Sequence, residues 1–407
     1  MIEKALTGSR RYWTLLTVFG GLVFIGLLCY LRQYHAGLQV TGLSRDVTWG
    51  FYIAQFTFLV GVAASAVMVV LPYYLHNYKA FGKLAVLGEF LAISAVIMCM
   101  LFIFVDMGKP TRVLNVMLYP SPNSLMFWDM VSLMGYLLLN ILISRVTFAA
   151  ERKSIAPPSW IRFFVVLSIP WAVSIHTVTA FLYSGLGARP FWMTAIMAPR
   201  FLATAFAAGP ALLILLSLLL KQLKLFDPGK EAVKKLAVII TYAMAANIFF
   251  LLMEIFTATY SAIPGHVDHL KLLYVGLDGN TTLVPWMWLS SIFSVIAMTL
   301  LFVPKWRERK GLLVAACFMV FFGIYFEKGL GMVVAGFIPT TMHTVVDYVP
   351  SGTELGISIG IYGLGALILT ILYKVAVTVR RREPEAAWAE ERPENKEEVA
   401  VAAAAGD

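Results

Sequence analysis

Residues 84–105 read LAVLGEFLAISAVIMCMLFIFV, an apolar run with a single charged side chain, Glu89. Such a run meets the roughly 20 apolar residues that a helix needs to cross a bilayer. On either side of it, further apolar runs occupy residues 13–31, 50–74, 125–147, 160–182, 203–220, 236–259, 285–303, 312–334 and 355–378. Barrel strands would show short alternating segments instead. The sequence therefore predicts an all-α integral membrane protein with about ten transmembrane helices.

The composition excludes a water-soluble or a disordered chain. Of 407 residues, 60% are hydrophobic and 14% are charged, whereas soluble domains carry about 25% charged residues and disordered chains are poor in apolar ones. Cys29, Cys99 and Cys317 lie far apart in apolar runs, and His176 is the only histidine deep in a predicted span. We therefore expect no haem and no iron–sulfur cluster in this chain.

Positive charge is divided unevenly between the two sides of the predicted bundle. The two termini and the even-numbered loops carry 22 Lys and Arg residues near the helix ends, whereas the odd-numbered loops carry seven. The positive-inside rule then predicts a multi-pass protein of the cytoplasmic (inner) membrane with both termini cytoplasmic. Topology thus explains the formal net charge of +9, and we expect no nucleic-acid partner.

A short repeat predicts how the helices are grouped. The tetrapeptide KLAV at 83–86 recurs at 235–238, near the start of the third and seventh predicted spans. It favours two four-helix bundles, helices 2–5 and 6–9, flanked by helices 1 and 10. The predicted segments are a cytoplasmic N-terminus (1–12), a first helix with an outer loop (13–48), a first bundle (49–182), a second bundle (183–334), an outer loop with the last helix (335–380) and a disordered cytoplasmic tail (381–407).

Ionisable side chains inside the predicted spans are candidates for function, because a charge within a bilayer is costly. Four of them form a candidate proton path: Glu89, Glu254, Glu327 and Lys328. Adjacent helical residues point about 100° apart, so Glu327 and Lys328 need not pair with each other. A structural salt bridge in the second bundle is an equally good interpretation.

The outer end of the first predicted bundle is rich in polar and aromatic residues. Asp106, Asp129 and His176 are the candidates for proton exchange there. The predicted pocket residues around them are Arg45, Trp49, Tyr52, Arg112 and Trp128. Flat apolar walls with a few proton-exchanging groups suit a quinone ring. Interfacial ion pairs and a hydrogen-bonded histidine would explain the same residues without a ligand.

Loop 3 carries a motif that resembles a known family. Asp106-Met107-Gly108-Lys109-Pro110-Thr111-Arg112 ends the third span, and Phe127-Trp128-Asp129 opens the fourth. With Arg189-Pro190-Phe191-Trp192 and residues 199–211, this pattern is similar to that of NrfD/polysulfide reductase membrane subunits. The ten-span form, with Thr48-Trp49-Gly50 entering the second span, most resembles the DsrP-type subunits of DsrMKJOP complexes, also called Hdr-like menaquinol oxidoreductases.

The resemblance implies a quinone-interacting subunit of a respiratory redox complex, with no redox metal of its own. Such subunits bind menaquinone near the outer face and exchange electrons with a ferredoxin-like iron–sulfur subunit docked on the periplasmic side. The matching motif implies that the menaquinone lies around Asp106, Arg112, Trp128 and Asp129. In DsrMKJOP complexes, the further partners would be a b-haem membrane subunit, a multihaem c-type subunit and an HdrD-like cytoplasmic iron–sulfur subunit. This machinery serves sulfite and sulfate respiration, and proton translocation stays an open question.

Three other functions stay open at this point. A secondary transporter also carries repeats and buried charges, and it predicts helices broken by glycine or proline in both halves. Pro170 is the single clear internal proline that we recognise in a predicted span, and the ninth span offers Gly323, Gly329 and Gly331. A HybB-type hydrogenase subunit is the near alternative within the family. A structural anchor for redox partners, without a bound quinone, is the last.

Overall fold

The computed structural model describes residues 8–63, 65–75, 78–153, 155 and 157–380, and this part of the chain is helical without a β-strand. Ten helices within these ranges are long and apolar enough to cross a membrane. The predicted all-α membrane fold is therefore confirmed. The first seven residues of the predicted N-terminus and the predicted tail at 381–407 lie outside the described residues.

The ten long helices follow the predicted spans and are numbered here in chain order. They are α1 (Arg10–Ala36), α2 (Phe51–Tyr73), α3 (Lys79–Asp106), α4 (Leu125–Ala150), α5 (Ile161–Ser184), α6 (Met197–Gln222), α7 (Lys230–Ser261), α8 (Val284–Phe302), α9 (Lys310–Ala335) and α10 (Gly352–Ala376). Local signals set their ends. At α1, for example, the Ser9 hydroxyl accepts from the Tyr12 amide at 3.4 Å, and Gly37 ends the helix with a φ of +76°.

The connecting loops alternate between two faces of the bundle. We call the end with loops 1, 3, 5, 7 and 9 the odd-loop face, and the opposite end the even-loop face. On the odd-loop face, the Gly42 amide donates to Glu354 Oε2 at 2.6 Å, and Arg189 donates to the Phe337 carbonyl at 3.1 Å. Short helices in these loops span Leu38–Val40, Pro110–Arg112, Asn115–Leu118, Pro190–Trp192 and Pro264–Tyr274.

The eight central helices pack as two four-helix units. In the first unit, α2, α3, α4 and α5 contact one another in sequence, and in the second unit α6, α7, α8 and α9 do the same. The units meet where α2 contacts α6 and α9 and where α5 contacts α6. Outside them, α1 packs along α10, and α10 packs on α3. Functional side chains from both units can therefore meet at the α2–α6–α9 contact.

Glycine permits a close crossing of α1 and α10. A Cβ added to Gly26 of α1 would lie 2.5 Å from the Gly360 Cα of α10. Side chains larger than hydrogen are thus excluded at this crossing, as at many close helix contacts in membranes.

Two helices of the core, α2 and α9, are irregular. The α2 span consists of Phe51–Ala63 and Val67–Leu75, and the Tyr136 hydroxyl donates to the Ala63 carbonyl next to the break at 3.2 Å. The α9 span contains a π-helical stretch, Tyr325–Gly331.

The expectation that Pro170 is the single internal proline was wrong, because Pro72 and Pro210 also lie inside helices.

Candidate functional site

A column of three polar side chains lines the buried side of α5 in the first unit. His176, Thr179 and Tyr183 follow the i, i+3, i+7 spacing that places residues on one helix face, and all are buried. The Thr179 hydroxyl donates to Asp129 Oδ1 of α4 at 2.7 Å. The Tyr183 hydroxyl is hydrogen-bonded to the Thr57 hydroxyl of α2. The column therefore connects the odd-loop end of α5 with a buried carboxylate.

The two ionisable residues at the foot of this column have unusual partners. Asp129 is 4% exposed and accepts from a neutral hydroxyl, and no salt bridge reaches it within the described residues. The His176 Nδ1 lies 2.7 Å from the Ala172 carbonyl. Since a carbonyl only accepts, we assign the imidazole proton to Nδ1, which leaves Nε2 as a buried base with no hydrogen-bond partner. Both groups have the chemistry needed to take up a proton.

An open cavity of about 400 Å³ lies above the column at the odd-loop face. Trp49, Phe337 and Arg189 line it, together with residues 185–188 and Thr48. The Trp49 ring contacts the Tyr183 ring edge-on, with the centroids 5.5 Å apart, and the Phe337 ring at 5.9 Å. The cavity thus combines aromatic walls with one cation, and its Trp49 wall packs on the Tyr183 ring.

The Pro264–Tyr274 helix of loop 7 packs against the Pro190–Trp192 helix of loop 5. His269 of the Pro264–Tyr274 helix is 3% exposed and packs edge-on against the Phe191 ring, with the centroids 5.0 Å apart. Burial lowers the pKa of His269 to about 4. This histidine is therefore neutral at physiological pH and acts as a packing residue of the loop.

The second unit holds a buried ion network. Arg200 of α6 forms salt bridges with Glu254 of α7 and with Glu327 of α9, the latter at 2.5 Å between Nη2 and Oε1. Asn247 Nδ2 donates to the other Glu327 oxygen at 3.3 Å. Arg200 and Glu327 are 14% and 4% exposed. One guanidinium thus bridges two carboxylates through charge-assisted hydrogen bonds.

Comparison with known proteins assigns the chain to a family. A family model described as polysulphide reductase, NrfD, matches residues 39–338. The chain belongs to the NrfD family. This confirms the resemblance seen in the loop motifs.

Three relatives resemble this NrfD-family chain over nearly its full length. A protein of Halobacterium salinarum, named as a putative membrane subunit of dimethyl sulfoxide reductase, is 26% identical over 93% of this chain and 94% of its own. A selenate reductase subunit of Mesobacillus selenatarsenatis is 21% identical over 90% and 94%. An Hdr-like menaquinol oxidoreductase integral membrane subunit of Archaeoglobus fulgidus is 24% identical over 94% and 98%. The chain is therefore an NrfD-type membrane subunit.

Two residues of the predicted pocket lie in a neighbouring network between α1, α2 and α3. The Tyr52 hydroxyl donates to Gln33 Oε1 at 2.6 Å, and Gln33 Nε2 donates to the Val105 carbonyl at 2.6 Å. Asp106 ends α3 beside this network, and its buried Oδ1 has no hydrogen-bond partner. The Tyr52 hydroxyl is thus bonded to α1, and Tyr52 does not line the cavity described above.

Three other predicted pocket residues lie on the surface. Trp128 is 46% exposed and donates its indole N–H to the Pro122 carbonyl at 2.7 Å. Arg45 and Arg112 are exposed in loops 1 and 3. The structure therefore does not enclose these three residues in one pocket with Trp49, as the sequence had led us to expect. Their roles stay predictions.

Several residues of the site escaped the sequence analysis. Arg200 was assigned to loop 5, but it lies in the first turns of α6. The hydrophobic run that was used to place this helix begins after Arg200, and so it hid the residue. Thr179 and Tyr183 were missed because neutral hydroxyls give no charge signal, although their spacing to His176 could be read from the sequence.

Within the described ranges, no group of three His, Cys, Asp or Glu side chains is placed to hold a metal ion.

Proposed function

We propose that this chain is the quinone-interacting membrane subunit of a respiratory redox complex, in which it exchanges electrons between menaquinone and an iron–sulfur partner subunit. The observation that carries the proposal is the aromatic cavity at Trp49, whose wall packs on Tyr183, the outermost residue of the column that holds Asp129 through Thr179. The three relatives, which are named as subunits of two reductases and a menaquinol oxidoreductase, support it.

The residues around the cavity fit a quinone head group. Its volume of about 400 Å³ is within the range of small-molecule sites, which are mostly apolar with a few placed polar groups. Trp49 and Phe337 offer flat apolar surfaces, and Arg189 offers a cation near the rim. Menaquinone, when bound, would supply two-electron chemistry coupled to two protons.

The protein's own part in this chemistry is to position the ring and to move protons. The Tyr183 hydroxyl lies between the cavity wall and the interior, and it is bonded to Thr57. Asp129, held by Thr179, is the nearest carboxylate along this column, and His176 Nε2 is a second acceptor below it. We assign Asp129 as the general base for quinol protons and His176 as the group that receives them next.

The partners and the orientation in the membrane complete the proposal. The odd-loop face points to the periplasm, where a ferredoxin-like iron–sulfur subunit docks near the cavity, and both termini are cytoplasmic. By analogy with DsrMKJOP complexes, a b-haem membrane subunit, a multihaem c-type subunit and an HdrD-like cytoplasmic iron–sulfur subunit join it for sulfite and sulfate respiration. Pull-down of the native complex, followed by mass spectrometry and haem staining, tests each partner.

Substitution of Asp129 tests the function directly. In the purified native complex, Asp129→Asn should slow quinol-dependent reduction of the partner's cluster about 100-fold, as loss of a general base does, while assembly is unchanged. Asp278→Asn is the matched control, because Asp278 lies on loop 7 and already adopts a positive φ that asparagine tolerates. Unchanged turnover in Asp129→Asn, or no menaquinone in lipid extracts of the complex, would contradict the proposal.

One observation also favours a secondary transporter. The break after Ala63 in α2 and the π-helical stretch Tyr325–Gly331 in α9 interrupt one helix of each unit, as transporter sites often do. This second candidate predicts solute-dependent ion uptake by vesicles that contain the chain alone. Uptake without quinol turnover would favour it over the quinone proposal.

A further inference from the structure

A capping box at the start of α10 fixes the carboxylate of Glu354. The Ser351 hydroxyl accepts from the Glu354 amide at 3.2 Å, and Glu354 Oε2 accepts from the Ser351 amide at 2.8 Å. The Gly42 amide of loop 1 donates to the same oxygen at 2.6 Å. The other oxygen, Oε1, accepts from the Tyr348 hydroxyl of loop 9 at 2.7 Å. The capping box therefore sets the direction of the Tyr348 O–H bond.

The oxygen of this hydroxyl binds the first residue of α2. Because Tyr348 gives its proton to Glu354, its oxygen can accept, and the Phe51 amide donates to it at 2.6 Å. The first intrahelical bond of α2 joins the Ala54 amide to the Gly50 carbonyl, so Gly50 is the N-cap. Glycine has no side chain with which to cap a helix. A tyrosine 297 residues from Phe51 in the sequence thus satisfies one amide at the start of the helix.

Two glycines of loop 1 give the Tyr348 side chain its place. A Cβ added to Gly50 would overlap the Tyr348 hydroxyl oxygen, and a Cβ added to Gly42 would lie 3.1 Å from the Tyr348 ring. Tyr348 is 3% exposed. The ring is therefore enclosed, and its hydroxyl is kept beside the Phe51 amide.

Trp49, a wall of the cavity, lies two residues before Phe51 in the sequence. The Trp49 ring stacks on the Trp192 ring, with the centroids 6.0 Å apart, and meets the Phe337 ring edge-on. Phe337 and Tyr348 both belong to loop 9. This loop thus contacts the Trp49 segment twice, through the Phe337 ring at the cavity and through the Tyr348 hydroxyl at the backbone.

We infer that Tyr348 is a positioning residue for quinone binding, because its hydroxyl, oriented by Glu354, holds the start of α2 and with it the Trp49 wall. A wall that is fixed in advance does not have to be ordered when the ligand binds, and this raises the affinity. Tyr348 is not among the residues that line the cavity. The loss of its hydroxyl should therefore weaken binding and leave the proton chemistry unchanged. The inference deepens the proposed function and rests on it.

Binding of menadione, a soluble naphthoquinone, to the native complex tests the inference. Tyr348→Phe keeps the ring and removes the hydroxyl. The dissociation constant for menadione and the KM for menadiol should each rise about fivefold, which corresponds to about 1 kcal/mol, the usual net value of one hydrogen bond. The kcat at saturating menadiol should be unchanged, since no proton-exchanging group is removed.

Tyr373→Phe is the matched control. The Tyr373 hydroxyl is also a buried donor, to the Leu87 carbonyl at 2.9 Å, but it lies near the opposite end of α10. This variant should lose a comparable amount of thermal stability without a change in the KM. If Tyr348→Phe binds menadione as tightly as the unsubstituted complex, or if Tyr373→Phe weakens binding to the same extent, the role of Tyr348 is structural and the inference is overturned.

A second measurement needs no substitution. Amides in the first turn of a helix have no intrahelical acceptor, but the Phe51 amide should exchange its hydrogen slowly because Tyr348 accepts from it. Menadione should slow this exchange further, since a ligand stabilises the conformation that binds it. Fast exchange, or exchange that bound menadione does not change, would overturn the inference even if Tyr348→Phe fails to assemble. An unsubstituted complex that binds no menadione would instead contradict the proposed function.

Discussion

The two four-helix units bury their charged side chains in opposite ways. In the second unit, Arg200 is bonded to both Glu254 and Glu327, so these three side chains each have an opposite charge as partner. In the first unit, Asp129 accepts from the neutral Thr179 hydroxyl, and His176 Nε2 has no partner. Paired charges are costly to change, whereas groups without an opposite charge can gain or lose a proton without breaking a salt bridge. We therefore expect the paired network to stabilise the second unit, and the proposed proton exchange to take place in the first.

The largest effect is expected from breaking the paired network. Arg200→Met leaves Glu254 and Glu327 buried without a cation, which should lower the free energy of unfolding by about 3–5 kcal/mol. Thermal unfolding in detergent would measure the loss. The triple variant Arg200→Met, Glu254→Gln, Glu327→Gln removes all charges and should recover most of the stability. If the single and the triple variants unfold alike, pairing is not what stabilises this unit.

Glu354 sharpens the comparison, because neutral groups donate to both oxygens of this buried carboxylate. Glu354 accepts from the Gly42 amide at 2.6 Å, the Ser351 amide at 2.8 Å and the Tyr348 hydroxyl at 2.7 Å. Burial and this carboxylate raise the pKa of Tyr348 well above its usual value, so the phenol stays a donor. Glu354→Gln should cost about 1–3 kcal/mol of unfolding free energy.

The readout for Glu354→Gln separates structure from chemistry. The variant should unfold at a lower temperature but keep its quinol turnover, which is the reverse of Asp129→Asn. Glu308→Gln serves as control, because Glu308 is exposed and pairs with Lys234. Loss of turnover at unchanged stability would place Glu354 among the proton-exchanging groups instead.

A smaller effect is expected from the hydroxyl that holds Asp129. Thr179→Val removes the 2.7 Å hydrogen bond and keeps the shape of the side chain. A net loss of about 1 kcal/mol is typical for one such bond, so turnover should fall several-fold. Thr177→Val is the matched control on the same helix, since the Thr177 hydroxyl donates only to the Val173 carbonyl. Equal effects of the two variants would remove Thr179 from the site.

The smallest effect belongs to an exposed pair outside the membrane. Lys221 donates to Asp227 Oδ1 at 2.9 Å, and the hydrogen bond lowers the pKa of Asp227. A lowered pKa contributes stability above the unfolded pKa of about 4, and the contribution disappears as the pH falls through the folded value. Asp227→Asn should therefore cost less than about 0.5 kcal/mol near pH 7, with no difference from the unsubstituted protein at strongly acidic pH. A larger loss that persists in acid would have another cause.

Much of the fold was predictable from the sequence, because hydrophobic run length is a strong signal in a membrane protein. All ten helices lie where the apolar runs predict them. The charged core residues Asp129, His176, Glu254, Glu327 and Lys328 were also found, since charge stands out against an apolar background. Their grouping was not predictable, because run length carries no information on which helix faces meet.

The failures share a physical cause. Arg200 was taken for a loop residue because a cation marks a helix end in most spans, and only the pairing with Glu254 and Glu327 permits it inside. Trp128 was expected in the pocket from its depth and from the loop motif, but its side chain is half exposed, and its role stays a prediction. The position of a residue along its helix gives its depth in the membrane. To place the residue in a site, one must also know which side of the helix its side chain faces.

The crossing of Gly26 and Gly360 has a consequence for biosynthesis. The helix made first among the ten spans packs along the helix made last. At the usual rate of translation, α1 waits on the order of tens of seconds in the lipid before its partner leaves the ribosome. During that time the face of α1 around Gly26 and Cys29, which packs on α10 in the folded protein, has no α10 beside it. Packing of α1 against α10 is therefore a late event in the folding of the chain. A ribosome that stalls before α10 is made leaves α1 in the bilayer without its partner helix.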